Sequence, residues 1–261
     1  IRPENYLSNN PHFCISALNR YNQWQFIDLV ERHNIPYHEK SHGELFCDNS
    51  SKDILKMLLD ECAVANVNIR TKSIISQIKP AEEGGFHLSF ADQKIHCQSL
   101  VVASGGLSIP TLGASGFGYD IAEQFGLGLL PRSAGLVPFT FSDWVKDISE
   151  TNSGLSIDVE MSVNGVSFRE NLLFTHRGIS GPAALQLSSY WEPGQVISIN
   201  LLPDQDALSL LLGYKESNPK SLLRNLIAPL LSKGFTQSLQ ARYWPQYAET
   251  PIAEIANSKL E

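Results

Sequence analysis

The stretch from Ser99 to Gly126, SLVVASGGLSIPTLGASGFGYDIAEQFG, constrains this chain more than any other. It opens on Leu100-Val101-Val102-Ala103, an apolar run with two β-branched members, and closes on Ser104-Gly105-Gly106. Such a run, ended by small residues, predicts a buried strand of a parallel sheet. Small residues at that end let backbone or a ligand come close, and in open α/β sheets ligands sit outside the carboxyl ends of the strands. Glycines recur at Gly113, Gly116 and Gly118, and Tyr119 to Phe125 reads as a helix closed by Gly126. Their spacing is not the GxGxxG dinucleotide fingerprint, and no strand directly precedes them. Taken alone, these three glycines read as turns.

Upstream, apolar residues recur at helical steps through Phe13, Ala17, Leu18, Tyr21, Trp24, Ile27 and Val30, predicting one amphipathic helix over about 11–34. At that spacing Tyr21 and Trp24 read as core side chains rather than a cofactor-stacking pair. Glu44 to Cys47 reads as a short strand. Asp48-Asn49-Ser50-Ser51 offers N-caps to a helix from Lys52 to Ala65, with Ile54, Leu55, Leu58, Leu59 and Cys62 on its buried face. Short β segments follow at 67–70, 74–78, 86–90 and 95–97, turned by Glu83-Gly84-Gly85 and Ala91-Asp92-Gln93.

Beyond Pro131 the pattern changes. Leu136 to Phe141 is β-like, and Leu155 to Val163 alternates apolar and polar residues, one face buried and one wet. Asn164-Gly165 then gives the strongest hairpin signal in the chain. Leu172–Thr175 and Val196–Leu201 add strands. Ser180-Gly181-Pro182 reads as a helix start, with Ser180 as the cap. From Pro203 the chain is helical, over about 204–212, 220–232, 236–244 and 252–258.

The net charge of −7 argues against a nucleic-acid or acidic-membrane surface, so no nucleic acid and no membrane partner is expected. No apolar run reaches the ~18–20 residues of a membrane span, and no signal peptide opens the chain. Cys14, Cys47, Cys62 and Cys97 lack zinc-ligand spacing and read as buried free thiols, which suits the cytoplasm. No metal site is expected. Asn49-Ser50-Ser51 matches a glycosylation sequon by chance, in the absence of a secretory signal. Ser180 lacks the GxSxG frame of a nucleophile.

Several separated motifs, in order, resemble one family. VVASGGLSIPTLGASGFGYDIAEQFG is similar to the VVATGG-L-S-x-P-x-x-G-x-x-G-x-G-Y segment of the YhiN/BaiN-like (HI0933-like) FAD/NAD(P)-binding flavoproteins. Leu172 to Pro182 is similar to that family's LLFTHxGxSGP, and Asn5-Tyr6-Leu7-Ser8 and Leu45-Phe46-Cys47 fit as well. The resemblance implies an α/β (α+β overall) chain: a partial two-dinucleotide-binding-domain flavoprotein (Rossmann-like FAD) fold, with an inserted small antiparallel β-barrel and a helical subdomain. The expected boundaries are 1–133 for the partial FAD/NAD(P)-binding domain with its meander, 134–202 for the barrel and 203–261 for the helical subdomain.

The same resemblance makes Ala103, Ser104, Gly105 and Gly106 cofactor-binding, near the flavin nucleotide, and Ile75 the residue whose backbone meets the adenine. Ser104 stands where the family has Thr and keeps the hydroxyl. It implies bound FAD, NAD(P)H as electron donor and an unidentified organic acceptor; one branch is associated with conjugated double bonds in steroid acids. The GxGxxG unit is absent from these residues and the first residue is Ile1, so the piece is expected to be a fragment, cut at Glu261 and inactive by itself. No residue has a clear catalytic role. Ser108, Thr111 and His176 are polar candidates whose ordinary reading is loop hydrogen bonding and, for His176, a structural side-chain bond. A non-catalytic binding protein on an FAD-type scaffold is the alternative.

Overall fold

A computed structural model describes residues 2–40, 43–91 and 93–260. Ile1, Asp92 and Glu261, which the readings above touch, lie outside the described residues. The chain forms two compact units, Ile1–Pro131 and Arg132–Glu261.

The first unit holds α1 (Ile15–Arg20), α2 (Gln23–Arg32), the strand pair β1 (Tyr37–Glu39) and β2 (Leu45–Cys47), α3 (Lys52–Val64), the meander β3 (Gln77–Pro80), β4 (Phe86–Phe90) and β5 (Gln93–Cys97), and α4 (Phe117–Gln124). The single helix expected over 11–34 is two. Asn22 is extended (φ −101, ψ 175), its side chain accepts from the amides of Trp24 and Gln25, and the Gln25 side chain accepts from the Asn22 amide. This reciprocal capping box starts a new helix in spite of the continuing apolar periodicity. Tyr21 and Trp24 are 51% and 68% exposed, so the core reading fails for both. On α3 the buried side chain is Met57, while Leu55, Leu58 and Leu59 are exposed.

The meander is antiparallel, with Leu88 of β4 opposite Ile78 of β3 and Ile95 of β5. Residues 67–70, expected as a strand, form none; Tyr37–Glu39, not expected, does. The expected strand Leu100–Ala103 is also not one. Strand geometry is held by a ladder of hydrogen bonds to a neighbour, and no described residue supplies that ladder.

The second unit is built on a five-stranded antiparallel sheet. In chain order its strands are β6 (Phe139–Thr140), β7 (Ser156–Val163), β8 (Val166–Thr175), β9 (Gly178–Ser180) and β10 (Ser198–Asn200), arranged β10-β7-β8-β9-β6. The β7–β8 hairpin turns at Asn164-Gly165, both with positive φ (49° and 78°), as a two-residue turn that matches strand twist requires. Val159, Met161 and Val163 of β7 are buried, as the alternation predicts. The helices are α5 (Trp144–Thr151), α6 (Pro182–Ser188), α7 (Ala207–Ser217), α8 (Leu223–Leu231) and α9 (Lys233–Tyr243). The cap of α6 is Gly181; Ser180 belongs to β9, opposite Leu173. The last expected helix is instead a pair of 3-10 turns, Ile252–Glu254 and Asn257–Lys259.

Helix α6 packs on β7 and β8, α5 on β8 and β9, and α8 on α9. One core joins Phe139, Met161, Phe174, Ile179, Leu187 and Phe235. Among the described residues no helix is long and apolar enough to cross a membrane.

Candidate cofactor-binding site

Residues 102–106 lie against the first turn of α4. A Cβ built on Gly118 would sit 3.2 Å from Ser104 Oγ and 3.7 Å from Val102 Cγ1, and one on Gly106 would sit 3.2 Å from the Tyr119 hydroxyl. These two glycines therefore let the Ser104–Gly106 turn close onto the helix start. Gly105 differs: its φ is +73°, and a Cβ there would meet nothing within 4 Å. Its missing side chain leaves open space beside the turn.

The loop that joins this turn to α4 stores backbone strain. Ile109 has φ 56, ψ 69, a left-handed conformation that costs a β-branched residue about 1–2 kcal/mol. It leads into the 3-10 turn Pro110–Leu112, which ends on Gly113, also left-handed. Ser104, Ser108 and Thr111 are exposed, and among the described residues their hydroxyls make no hydrogen bond. The loop-hydrogen-bonding reading of Ser108 and Thr111 therefore fails. No Lys or Arg lies between Lys94 and Arg132, so the segment offers a ligand backbone, hydroxyls and open apolar surface, without a cation.

Of the residues expected to hold a cofactor, the structure brings Ser104 and Gly106 together on the face of α4, with Ala103 and Gly105 between and beside them. Ile75 is half-buried, two residues ahead of β3, and no hydrogen bond among the described residues ties it to this turn. His176 belongs to the second unit. With Arg177 it forms the exposed turn between β8 and β9, a turn held by Thr175, whose hydroxyl donates to the Gly178 carbonyl. The His176 side chain makes no hydrogen bond among the described residues, so the structural role expected for it fails. The four cysteines are free and half-buried rather than buried. No cluster of His, Cys, Asp or Glu suited to a metal ion occurs among the described residues.

A glycine-rich turn set against a helix start, joined in one chain to an antiparallel sheet with a helical extension, makes a mixed α/β protein of two units. The chain belongs to the HI0933-like family. The family's Rossmann domain matches residues 1–170, and its "barrel and H2TH domain" matches residues 133–261. Two curated relatives are named ribosomal RNA dihydrouridine synthase. The one from Escherichia coli K12 is 50% identical over 241 residues, 92% of this chain and 60% of its own length. The one from Haemophilus influenzae Rd is 45% identical over 237 residues, 89% of this chain and 59% of its own length. The chain thus spans about 60% of the length of these relatives.

These names overturn two expectations. An unidentified organic acceptor reduced by NAD(P)H is not what the relatives are named for: their substrate is ribosomal RNA. The expectation of no nucleic acid falls with it. A net charge of −7 averages over the whole chain, whereas phosphate contacts are made by a few local groups, so the average carried little weight.

Proposed function

We propose that the protein to which this chain belongs is a flavin-dependent dihydrouridine synthase acting on ribosomal RNA. The observation that carries the reading is the 50% identity, spread over 92% of this chain, to a relative with that name. The local geometry supports a flavin nucleotide at Ser104–Gly106. Space is open where a Gly105 side chain would stand, the exposed Ser104 hydroxyl has no partner among the described residues, and the strained Ile109 loop borders the turn. Ala103 to Gly106 would hold the nucleotide through backbone groups and the Ser104 hydroxyl, with Ile75 lending backbone to the adenine if the group is FAD. A bound reduced flavin would supply a hydride to one carbon of the pyrimidine double bond, and a proton drawn from solvent would complete its saturation at the other. A ribosomal RNA substrate would set this work in the cytoplasm.

The test has two parts. Titration of the chain with FAD and FMN, followed by visible absorbance, is expected to give saturable binding that weakens at least tenfold in Gly105→Ala. The loaded protein, reduced with dithionite and incubated with unmodified ribosomal RNA, is expected to form dihydrouridine detectable by nucleoside mass spectrometry. Saturable flavin binding without dihydrouridine, in this chain and in a protein of the relatives' full length, would sink the proposed activity.

A further inference from the structure

The second unit contains a cavity of about 690 Å³ between the sheet and helices α5 and α9. Sites for drug-sized ligands run from about 300 to 1,000 Å³ and are mostly apolar with a few polar groups. Aromatic rings dominate this lining: Phe139, Trp144, Phe174, Trp191, Phe235 and Tyr243 all contribute. Not one Asp, Glu, Lys, Arg or His lines it. Trp144, Ile199 and Tyr243 are each more than a third exposed and mark where solvent reaches the cavity.

Its polar groups are few. The Trp191 indole N–H already donates to the Gln195 carbonyl, at 2.8 Å. Trp244 also lines the cavity, and its Nε1 is buried with no hydrogen-bond partner among the described residues. That donor has less than 1 Å² of accessible surface, so it faces packed side chains and not the open space of the cavity.

We propose that this cavity is a binding site for an uncharged, flat, largely aromatic small molecule. The absence of any charged group from the lining excludes nucleotides and other phosphate esters, because their charge would be stripped of water with nothing to offset it. Flat rings suit the walls, since aromatic pairs gain from offset and edge-to-face contact beyond the area they bury. The site is separate from the Ser104–Gly106 turn and does not rest on the proposed synthase activity.

The probe is prodan, a neutral naphthalene with a ketone acceptor, titrated into the whole chain and followed by its own emission and by energy transfer from tryptophan. One saturable site per chain is expected, above weaker uptake by the exposed apolar side chains of residues 1–131. Ile199→Trp, which fills the mouth, is expected to weaken binding at this site at least tenfold while circular dichroism and the urea midpoint stay as in the parent. Trp144→Ala removes a half-exposed ring from the lining and is expected to weaken it several-fold; it decides the matter if the larger residue at 199 unfolds the chain. FMN is expected not to displace the probe. No saturable binding, equal binding by Ile199→Trp, equal binding by Trp144→Ala, or displacement by FMN would each overturn the proposal.

Discussion

At the scale of single residues, two glycines separate what holds the fold from what leaves room for a ligand. Gly178 has φ 151, and a Cβ there would lie 2.2 Å from the Phe139 carbonyl oxygen and 2.9 Å from the Phe141 ring. The Phe141 ring can turn aside, but the Phe139 carbonyl cannot yield without breaking the β6–β9 pair. Gly178→Ala should therefore cost about 3 kcal/mol, read as a lower urea midpoint. Gly105→Ala meets only the left-handed backbone penalty of about 1 kcal/mol, and its larger effect should be on flavin affinity. Arg169 gives a second residue-scale expectation. Its guanidinium donates to both oxygens of Asp204, at 2.6 and 2.5 Å, and to Asp158 at 2.8 Å. These bonds, more than the bare charge, hold the Asp204 carboxyl below the usual carboxylate range. A depressed carboxylate stabilises the fold above its unfolded-state value and loses that contribution as pH falls through its folded-state value. Between pH 7 and pH 3 the urea midpoint should thus fall more steeply in the parent than in Arg169→Gln, and equal slopes would contradict this account.

At the scale of elements, what was legible in the sequence was what the sequence decides locally. The β7–β8 hairpin follows from strict alternation and Asn164-Gly165, and β4 falls at Phe86–Phe90 as expected, because turn chemistry and period need no distant partner. Leu100–Ala103 shows the opposite case: its apolar run is plain, yet a strand exists only where a neighbour completes the ladder. The glycines of the candidate site were legible as a motif, but the contact of Ser104 with Gly118 was not, since thirteen residues, among them a 3-10 turn, lie between. The cavity left no local signal at all. Its lining spans Phe139 to Trp244, and no window of sequence brings those aromatics together. The junction of α8 and α9 turns on Ser232, which has φ 108 and ends one helix while capping the next. Its hydroxyl accepts from the Phe235 amide at 3.3 Å, and its carbonyl accepts from the Thr236 hydroxyl at 2.7 Å. Ser232→Ala keeps the strained backbone and loses the cap, so it should destabilise by about 1–2 kcal/mol. Ser232→Gly loses the cap but relieves the strain, so a denaturation midpoint close to the parent's is expected.

For the molecule as a whole, the decisive contrast is how the two units bury their apolar side chains. Two compact bodies of half this mass each, sharing no surface, would expose about 13,700 Å² in all by the usual scaling of area with mass. The chain exposes 18,213 Å². In the first unit Val30, Met57 and Ile78 are the only buried apolar side chains among the described residues, while Phe13, Ile74, Val101 and Leu112 are more than 80% exposed. The second unit buries a continuous core from Phe139 to Phe235, with Ile252 and Ile255 beneath its last turns. Hydrophobic burial is the main term opposing conformational entropy, and net stability is their small difference. Residues 132–261 expressed alone should therefore unfold in one cooperative urea transition. Residues 1–131 alone should bind 8-anilinonaphthalene-1-sulfonate strongly and unfold over a broad range of denaturant, because three buried side chains cannot order a unit of that length. A sharp transition from 1–131 without dye binding would mean that its exposed residues find cover the described contacts do not contain, and the stability of the first unit would then need another source.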